Sequence, residues 1–276
     1  MAVDFEIKDN YDVNDLIQLV TVLRSPGGCP WDREQTHESI KKNFIEETYE
    51  VIEAINKEDA DGLKEELGDV LLQVALHAEM EREKGVFDFN DVANDICKKL
   101  VVRHPHVFGD VVAKNEEEAL DNWDAVKQKT KGLKSKSESM QKVPKELPAL
   151  MRAQKVQSKA RKCGFDWNDS EGAFDKLNEE INELKIALAE GNKAHIEEEF
   201  GDVLFSCVNI SRFLDVDSEE ALTLATNKFI DRFTLVEQLA NDTGVDMKNS
   251  SIEELDLLWD KAKEIIAQRA QTEEKL

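Results

Sequence analysis

Hydrophobic residues recur along most of the chain at spacings of three and four positions, which is the pattern of amphipathic helices. No segment alternates convincingly with a period of two, so we predict an all-α fold. The predicted helices form two groups of four. They span residues 38–56, 58–84, 90–103 and 115–129 in the first group, and 171–190, 193–214, 217–241 and 251–270 in the second.

Five acidic residues of the first group recur 133 positions later in the second group, which indicates an internal repeat. The two sets are Glu46, Glu47, Glu50, Glu66 and Asp69, and Glu179, Glu180, Glu183, Glu199 and Asp202. We therefore predict two homologous helical units, residues 1–128 and 144–276. The Lys- and Ser-rich residues 129–143 between them are predicted to be a flexible linker.

The second helix of each predicted pair carries a nearly identical motif, "EELGDVLL" at 65–72 and "EEFGDVLF" at 198–205. At about 100° per residue, Glu66 and Asp69 share one narrow face, and apolar residues cover nearly all the rest. Such a helix is expected to be buried. Gly68 and Gly201 lie about 160° from the acidic face, so we expect them to permit close helix packing.

Acidic residues are concentrated in the two repeats. The chain has a net charge of −23, residues 46–69 contain ten acidic and two basic side chains, and residues 179–202 contain eight and two. This charge argues against nucleic acid and anionic lipid as partners. No long apolar stretch and no secretory h-region occur, so neither a membrane span nor a signal peptide is expected, and we predict a cytoplasmic protein.

Glu46, Glu47 and Glu50 stand at helical spacings at which like charges repel one another. The short connection near residues 56–58 predicts that the next helix lies alongside, which brings both acidic faces together. Unpaired charges in a site of low dielectric cost several kcal/mol, so a cation must neutralise them. Oxygen donors without a cysteine or histidine partner suit Mg²⁺, or Mn²⁺ in its place.

Two other interpretations of these acids remain. A lone Glu-Glu-x-x-Glu motif is most often a solvated helix face, although the repetition of five acids argues against this here. A ferritin-like di-iron bundle also collects carboxylates, but it needs two Glu-x-x-His motifs. The chain has one such motif, from Glu34 to His37, and its repeat position holds Trp167.

Basic and aromatic residues that could hold a nucleotide also recur in both units. Lysine and arginine one helical turn apart suit phosphate binding, and tryptophan can stack on a base, although a buried core tryptophan is the more frequent case. The residues are Lys99, Arg103, Trp123 and Lys127 in the first unit, and Lys228, Arg232, Trp259 and Lys263 in the second. The phosphate-binding loop of P-loop NTPases is absent from the sequence.

Together these motifs closely resemble the MazG family of tandem-domain nucleoside triphosphate pyrophosphohydrolases. The matching segments are "LRSPGGCPWDREQTH" (23–37), "NFIEETYEVIEAI" (43–55), "EELGDVLLQVALHAE" (65–79), "RHPHVFGD" (103–110), "LPALMRAQKVQSKARKCGFDW" (147–167) and "EEFGDVLF" (198–205). The resemblance implies paired helices completed by homodimerisation, and Mg²⁺-dependent hydrolysis of NTPs or dNTPs to monophosphate and pyrophosphate. Broad base specificity and a role in nucleotide-pool housekeeping would follow.

The resemblance also implies roles for single residues. In each unit the first acid, Glu46 or Glu179, would orient or deprotonate the attacking water. The metal ligands would be Glu47, Glu50, Glu66 and Asp69 in the first unit, and Glu180, Glu183, Glu199 and Asp202 in the second. Lys228, Arg232, Trp259 and Lys263 would contact phosphate and base in the second unit, which the resemblance favours as the active one.

Two alternative functions stay open. One is a pyrophosphatase dedicated to a single nucleotide, such as dUTP or phosphoribosyl-ATP. The other is a non-catalytic helical dimer that binds a regulatory partner.

Overall fold

The computed structural model of this protein describes residues 5–116, 118–119, 122–123, 126 and 135–273, with the backbone alone at residues 136 and 270–273. The described residues contain helices and no strand, which confirms the all-α prediction. The chain divides into two compact units, residues 1–132 and 133–276. Every helix in the described part is too short or too polar to span a bilayer.

The first unit is built around a pair of adjacent helices, α3 and α4. Its helices are α1 (Val13–Arg24), α2 (Pro30–Glu34), α3 (Lys41–Asn56), α4 (Ala60–Glu83), α5 (Phe89–Arg103) and α6 (Pro105–Phe108). Helix α4 also packs on α1 and α5. The core lies between these helices and consists of Val20, Ile40, Ala75, Leu76 and Met80.

Side-chain caps fix where these helices begin. Asp12 and Asp88 form capping boxes at the starts of α1 and α5, and Asp59 accepts a hydrogen bond from the Gly62 amide at the start of α4. The connection from α3 to α4 is short, and Glu58 turns the chain there with a φ of 54°. This short turn holds the acidic faces of α3 and α4 next to each other.

The second unit repeats the helix pair. Its helices are α7 (Lys136–Gln141), α8 (Ala149–Arg161), α9 (Ser170–Glu190), α10 (Lys193–Phe213), α11 (Ser218–Thr243) and α12 (Ile252–Glu273). Helices α9 and α10 pack along their lengths and are joined through Gly191, whose φ of 70° favours glycine. Helices α11 and α12 form a second pair around the buried residues Leu235, Val236, Ala240, Leu258 and Ala262.

The sequence missed several short helices. Helices α1 and α8 lie outside the predicted segments, and α7 occupies part of residues 129–143, the predicted flexible linker. Ser135 caps α7 by accepting a hydrogen bond from the Glu138 amide, and Val143 is buried, so one cap and one buried side chain hold residues 135–143, whereas residues 129–134 lie outside the described residues. Most of the predicted helix 115–129 lies outside the described residues.

The prediction that α4 and α10 are buried all round is wrong for a single chain. Leu67 is 50% exposed and Phe200 is 54% exposed. A Cβ atom added to Gly68 or Gly201 would meet nothing within 4 Å, so neither glycine permits a close helix contact with the described residues. One apolar side of each helix pair therefore has no partner among the described residues of its own unit.

Candidate functional site

Helices α3 and α4 bring acids of the first unit together, and we call Glu47, Glu50, Glu66 and Asp69 the first carboxylate cluster. Glu47, Glu66 and Asp69 each supply an oxygen, and these three oxygens lie within 4.8 Å of one another. Glu50 hydrogen-bonds to Glu47. The helical spacing and the short α3–α4 turn thus produce the convergence that the sequence predicted.

The first cluster is electrostatically strained. Burial raises the pKa of Glu47 above its ordinary value, and the hydrogen bond that protonated Glu47 donates to Glu50 and the charges of Asp69, Glu50 and Glu66 raise it further. Burial likewise raises the pKa of Glu66, with Glu50 as the largest neighbouring charge. Among the described residues, no lysine, arginine or histidine forms an ion pair with this cluster.

Helices α9 and α10 form the second carboxylate cluster, Glu180, Glu183, Glu199 and Asp202. Oxygens of Glu180, Glu199 and Asp202 again lie within 4.8 Å of one another. Glu180 is only 5% exposed, whereas Asp202 is exposed. Burial raises the pKa of Glu183, which also hydrogen-bonds to Glu180 and lies near Glu199. The second cluster therefore repeats the arrangement of the first.

Two basic residues that the sequence reasoning missed contact the second cluster. The Lys176 ammonium lies 2.6 Å from Glu180 Oε1 and 2.8 Å from Glu179 Oε1, and these contacts raise the pKa of Lys176. His195 Nε2 lies 3.0 Å from Glu199 Oε1, and its Nδ1 lies 3.0 Å from Glu190. The i, i+4 spacings from Lys176 to Glu180 and from His195 to Glu199 were the available signal.

The two predicted catalytic acids stand at the edge of the clusters. Glu46 is exposed, and it is not one of the acids whose oxygens converge. Glu179 is also exposed and accepts a hydrogen bond from Lys176. Both face solvent one residue before a cluster acid, so their assignment as water-activating groups stays a prediction.

The basic and aromatic residues of the second unit lie on the other helix pair, α11 and α12. The Arg232 guanidinium carbon lies 5.9 Å from the centre of the Trp259 ring, and the Phe229 ring lies 5.1 Å from the same ring. Lys228 is exposed, and Lys263 pairs with Asp260 at 2.7 Å. Helix α11 packs on α12 and α8. Lys228, Arg232, Trp259 and Lys263 are thus gathered on one helix pair, separate from the carboxylates.

The Arg232 guanidinium has a feature that bears on its predicted role as a phosphate ligand. It is half-buried, and its Nε is a buried donor without a hydrogen-bond partner in the described part of the chain. An unsatisfied buried donor is costly, so an incoming anion would gain by accepting from it. Arg232 stands in the interior of α11, which continues to Thr243.

In the first unit the equivalent arginine also lies over a tryptophan ring, but it stands at the end of its helix. The Arg103 guanidinium carbon lies 5.3 Å from the centre of the Trp123 ring, and His104 packs edge-on against that ring at 4.7 Å. Arg103 is the last residue of α5, because His104 and Pro105 end the helix there. Lys99 is exposed, and Lys127 lies outside the described residues.

The donor set of each cluster fits a hard divalent cation. Every converging atom is a carboxylate oxygen, which suits Mg²⁺ or Mn²⁺. A di-iron site does not fit, because His37 hydrogen-bonds to His77 and Glu81 and is not one of the converging groups. Burial of Glu180 likewise does not fit a fully solvated helix face.

Comparison with known proteins agrees with this geometry. The family described as MazG nucleotide pyrophosphohydrolase domain matches residues 35–108 and 169–236. A Thermotoga maritima protein named nucleoside triphosphate pyrophosphohydrolase/pyrophosphatase MazG is 48% identical over 90% of this chain and 94% of its own length. A nucleoside triphosphate pyrophosphohydrolase of Escherichia coli is 42% identical over 91% of this chain and 98% of its own. The chain belongs to the MazG nucleotide pyrophosphohydrolase family.

Proposed function

We propose that this protein hydrolyses nucleoside triphosphates and deoxynucleoside triphosphates to monophosphates and pyrophosphate, with Mg²⁺ as the cofactor. The observation that carries the proposal is the convergence of three carboxylate oxygens within 4.8 Å at equivalent positions of both units. Family membership and the names of the relatives support the same reaction. A role in nucleotide-pool housekeeping and a cytoplasmic location, where these substrates occur, go with this proposal.

The proposed division of labour follows from the position of each residue. Glu180, Glu183, Glu199 and Asp202 would hold the cation, which when bound supplies charge stabilisation to the phosphates and a more acidic water. Glu179, exposed beside this cluster, would orient the attacking water and accept its proton. The Lys176 ammonium, which contacts both Glu179 and Glu180, would balance part of their negative charge. Glu46, Glu47, Glu50, Glu66 and Asp69 would do the same in the first unit.

We assign the main hydrolytic activity to the second unit. Its arginine, Arg232, has a buried donor without a partner among the described residues, and the resemblance to the MazG family favours the second copy. Phosphate oxygens would accept from Arg232 and Lys228, and the base would stack on Trp259, whose ring lies 5.1 Å from Phe229. Lys263 would lie one helical turn beyond Trp259 at the same surface.

We also propose that the working form is a homodimer. Apolar side chains stand exposed along α11, including Leu222 at 56%, Phe229 at 56% and Phe233 at 45%. Contiguous apolar surfaces of this kind mark protein interfaces. A second copy that packs on α11 would cover these apolar side chains. It would also complete each site with residues that lie apart in a single chain.

A turnover assay tests the reaction. Purified protein is incubated with each NTP and dNTP in Mg²⁺ or Mn²⁺, and products are separated by anion exchange. Monophosphate plus pyrophosphate from several nucleotides is the expected result. Acceptance of dUTP or phosphoribosyl-ATP alone would instead establish a dedicated pyrophosphatase. No metal-dependent turnover of any nucleotide would overturn catalysis and leave the regulatory helical dimer.

Sedimentation tests the homodimer independently. Leu222→Glu should shift the protein towards the monomer, because a charge would enter the proposed interface. Ile7→Glu is the matched control, since Ile7 is 90% exposed in a segment outside the helices. A monomeric wild-type chain would contradict the dimer, and a Leu222→Glu variant as dimeric as the wild type would contradict an interface on α11.

A further inference from the structure

A histidine pair joins the segment before α3 to α4 in the first unit. His37 lies in the turn between α2 and α3, and His77 lies on α4. Their Nδ1 atoms are 2.7 Å apart, their ring centres are 5.0 Å apart, and their ring planes are within 5° of parallel. The two nitrogens therefore face each other along the line that joins the ring centres, which is the geometry of an N–H···N hydrogen bond.

This contact admits only one proton between the two rings. A neutral imidazole has one donor and one acceptor nitrogen, whereas an imidazolium has two donors. Either ring can supply the shared proton, so the contact persists when both rings are neutral and when one of them is charged. When both rings are charged, two N–H groups point at each other, and the rings must separate.

Few charges beside the pair would offset two positive rings. His37 Nε2 lies 2.6 Å from Glu81 Oε1, but the Lys84 ammonium also lies 2.6 Å from that oxygen. On the α3 side, His77 contacts the uncharged ring of Phe44, with the ring centres 5.9 Å apart. A doubly charged pair would thus have one glutamate, already shared with a lysine, as its counterion.

The charged groups that α1 and α5 bring to α4 lie elsewhere on that helix. Arg24 of α1 binds Glu83, and Asp88, which caps α5, lies near Arg82, itself paired with Glu79. On a helical wheel, Glu79, Arg82 and Glu83 lie at least about 120° from His77. They therefore leave the charge of the histidine pair uncompensated.

We propose that His37 and His77 form a clasp that is closed at neutral pH and opens in acid, when both rings take up a proton, and thereby releases the start of α3 from α4. The core residue Ile40 follows the turn that holds His37. Its amide donates to the Thr36 carbonyl, and its carbonyl accepts from the Phe44 amide. Opening the clasp loosens these two hydrogen bonds at the start of the helix that carries Glu47.

The pH dependence follows from the environment of His77. Burial lowers its pKa below the ordinary value of 6.5, and the charge of His37 lowers it further. The folded state therefore binds the second proton less tightly than the unfolded state does. Stability from the closed clasp is present above pH 6.5 and is lost as the pH falls below this value through the lowered folded pKa. The two rings titrate as a coupled pair.

Nuclear magnetic resonance of the full chain with ¹⁵N-labelled histidine tests the contact directly. At about pH 8, a scalar coupling across the hydrogen bond should connect the two Nδ1 nuclei, and at about pH 5 it should be absent, since histidine changes its charge between these values. No coupling at the higher pH, or a coupling that persists at the lower one, would overturn the clasp. The wild-type chain suffices for this measurement.

Hydrogen exchange tests the consequence for α3. Protection of the Ile40 and Phe44 amides, corrected for the intrinsic effect of pH, should fall about tenfold or more over that range, as expected for loss of one charge-assisted hydrogen bond. The second unit is an internal control, because its equivalent positions hold Ser170 and Ile210. The start of α9 should show no such fall.

Two variants copy the second unit, His37→Ser and His77→Ile. In each, the pH-dependent fall at the start of α3 should disappear, and the variant that folds, checked by circular dichroism, is sufficient for the comparison. An undiminished fall in a folded variant, or an equal fall at the start of α9 in the wild type, would show that the histidine pair does not control this segment.

Discussion

The two carboxylate clusters have the same acids on the same pair of helices but differ in what compensates their charge. Lys176 and His195 contact the second cluster, whereas the equivalent positions of the first hold Asn43 and Gly62. Unpaired carboxylates repel one another, and burial makes the repulsion more costly. The same acids in both units therefore do not give two sites with the same electrostatics. The neighbouring cations decide how much each cluster gains from a metal ion.

The largest expected effect is a difference in hydrolysis rate between variants of the two clusters. Glu180→Gln should lower the rate of NTP hydrolysis by about 100-fold or more, because it removes a buried ligand. Glu47→Gln, its repeat equivalent, should leave most of the activity. Initial rates of pyrophosphate release measure both. Full activity in Glu180→Gln would place the reaction in the first unit.

Exchange of the compensating cation should change the response to Mg²⁺. Lys176→Asn copies Asn43 and leaves Glu180 unpaired, so we expect the metal-free protein to lose about 1 kcal/mol of stability, given partial solvent screening. Its rise in melting temperature on addition of Mg²⁺ should be larger than that of the wild type.

The reverse substitution, Asn43→Lys, is the matched control for that exchange. It should stabilise the metal-free first unit and reduce its gain from Mg²⁺. Thermal melts at low salt, with and without Mg²⁺, measure both variants. Equal Mg²⁺ responses in wild type, Lys176→Asn and Asn43→Lys would show that the lysine does not compete with the ion.

The pH dependence of stability should also distinguish the clusters. The raised pKa of Glu47 means that the folded state holds its proton more tightly than the unfolded state, whose glutamate titrates near the ordinary value of 4.5. Stability from this group is present below that value and is lost as pH rises through the higher folded pKa. In metal-free buffer, Glu47→Gln should therefore become more stable relative to wild type as the pH rises.

Chemical denaturation across that pH range measures the difference in stability between Glu47→Gln and the wild type. Excess Mg²⁺ should change this difference, because the ion binds the ionised carboxylate. Glu46→Gln serves as the control, since Glu46 is exposed and outside the converging set. A flat difference between Glu47→Gln and wild type would mean that burial does not strain the first cluster.

The smallest effect concerns the exposed glycines. Gly68→Ala and Gly201→Ala should each stabilise a monomeric chain by about 0.4–1 kcal/mol, because alanine favours helix and an added Cβ would meet nothing within 4 Å. Denaturant melts at low and high protein concentration measure this. Destabilisation at high concentration only would show that a second copy packs against these positions.

The sequence was sufficient for the fold class, the main helices and the family, because helical periodicity and the repeated acids are local patterns. It also predicted that Glu47, Glu66 and Asp69 converge, since spacing on a helix and a short turn determine it. Contacts between residues that lie far apart in the sequence could not be predicted from it. The contact between His37 and His77 joins residues 40 positions apart, and no periodicity indicates such a pair.

The wrong prediction that α4 and α10 are buried on all sides has a related cause. An apolar pattern shows that Leu67 and Phe200 avoid water, but it does not show whether the covering surface belongs to the same chain. The contact between Lys176 and Glu180 could have been predicted, because their i, i+4 spacing is visible in the sequence.

The end of α5 has one further consequence. Arg103 stands in the last turn of its helix, where backbone carbonyls give a partial negative charge worth about 0.3–1 kcal/mol to a nearby cation. Arg232 stands in the interior of α11, away from either helix terminus. An anion that binds Arg103 must therefore compete with the dipole of the helix that carries it, whereas an anion that binds Arg232 does not.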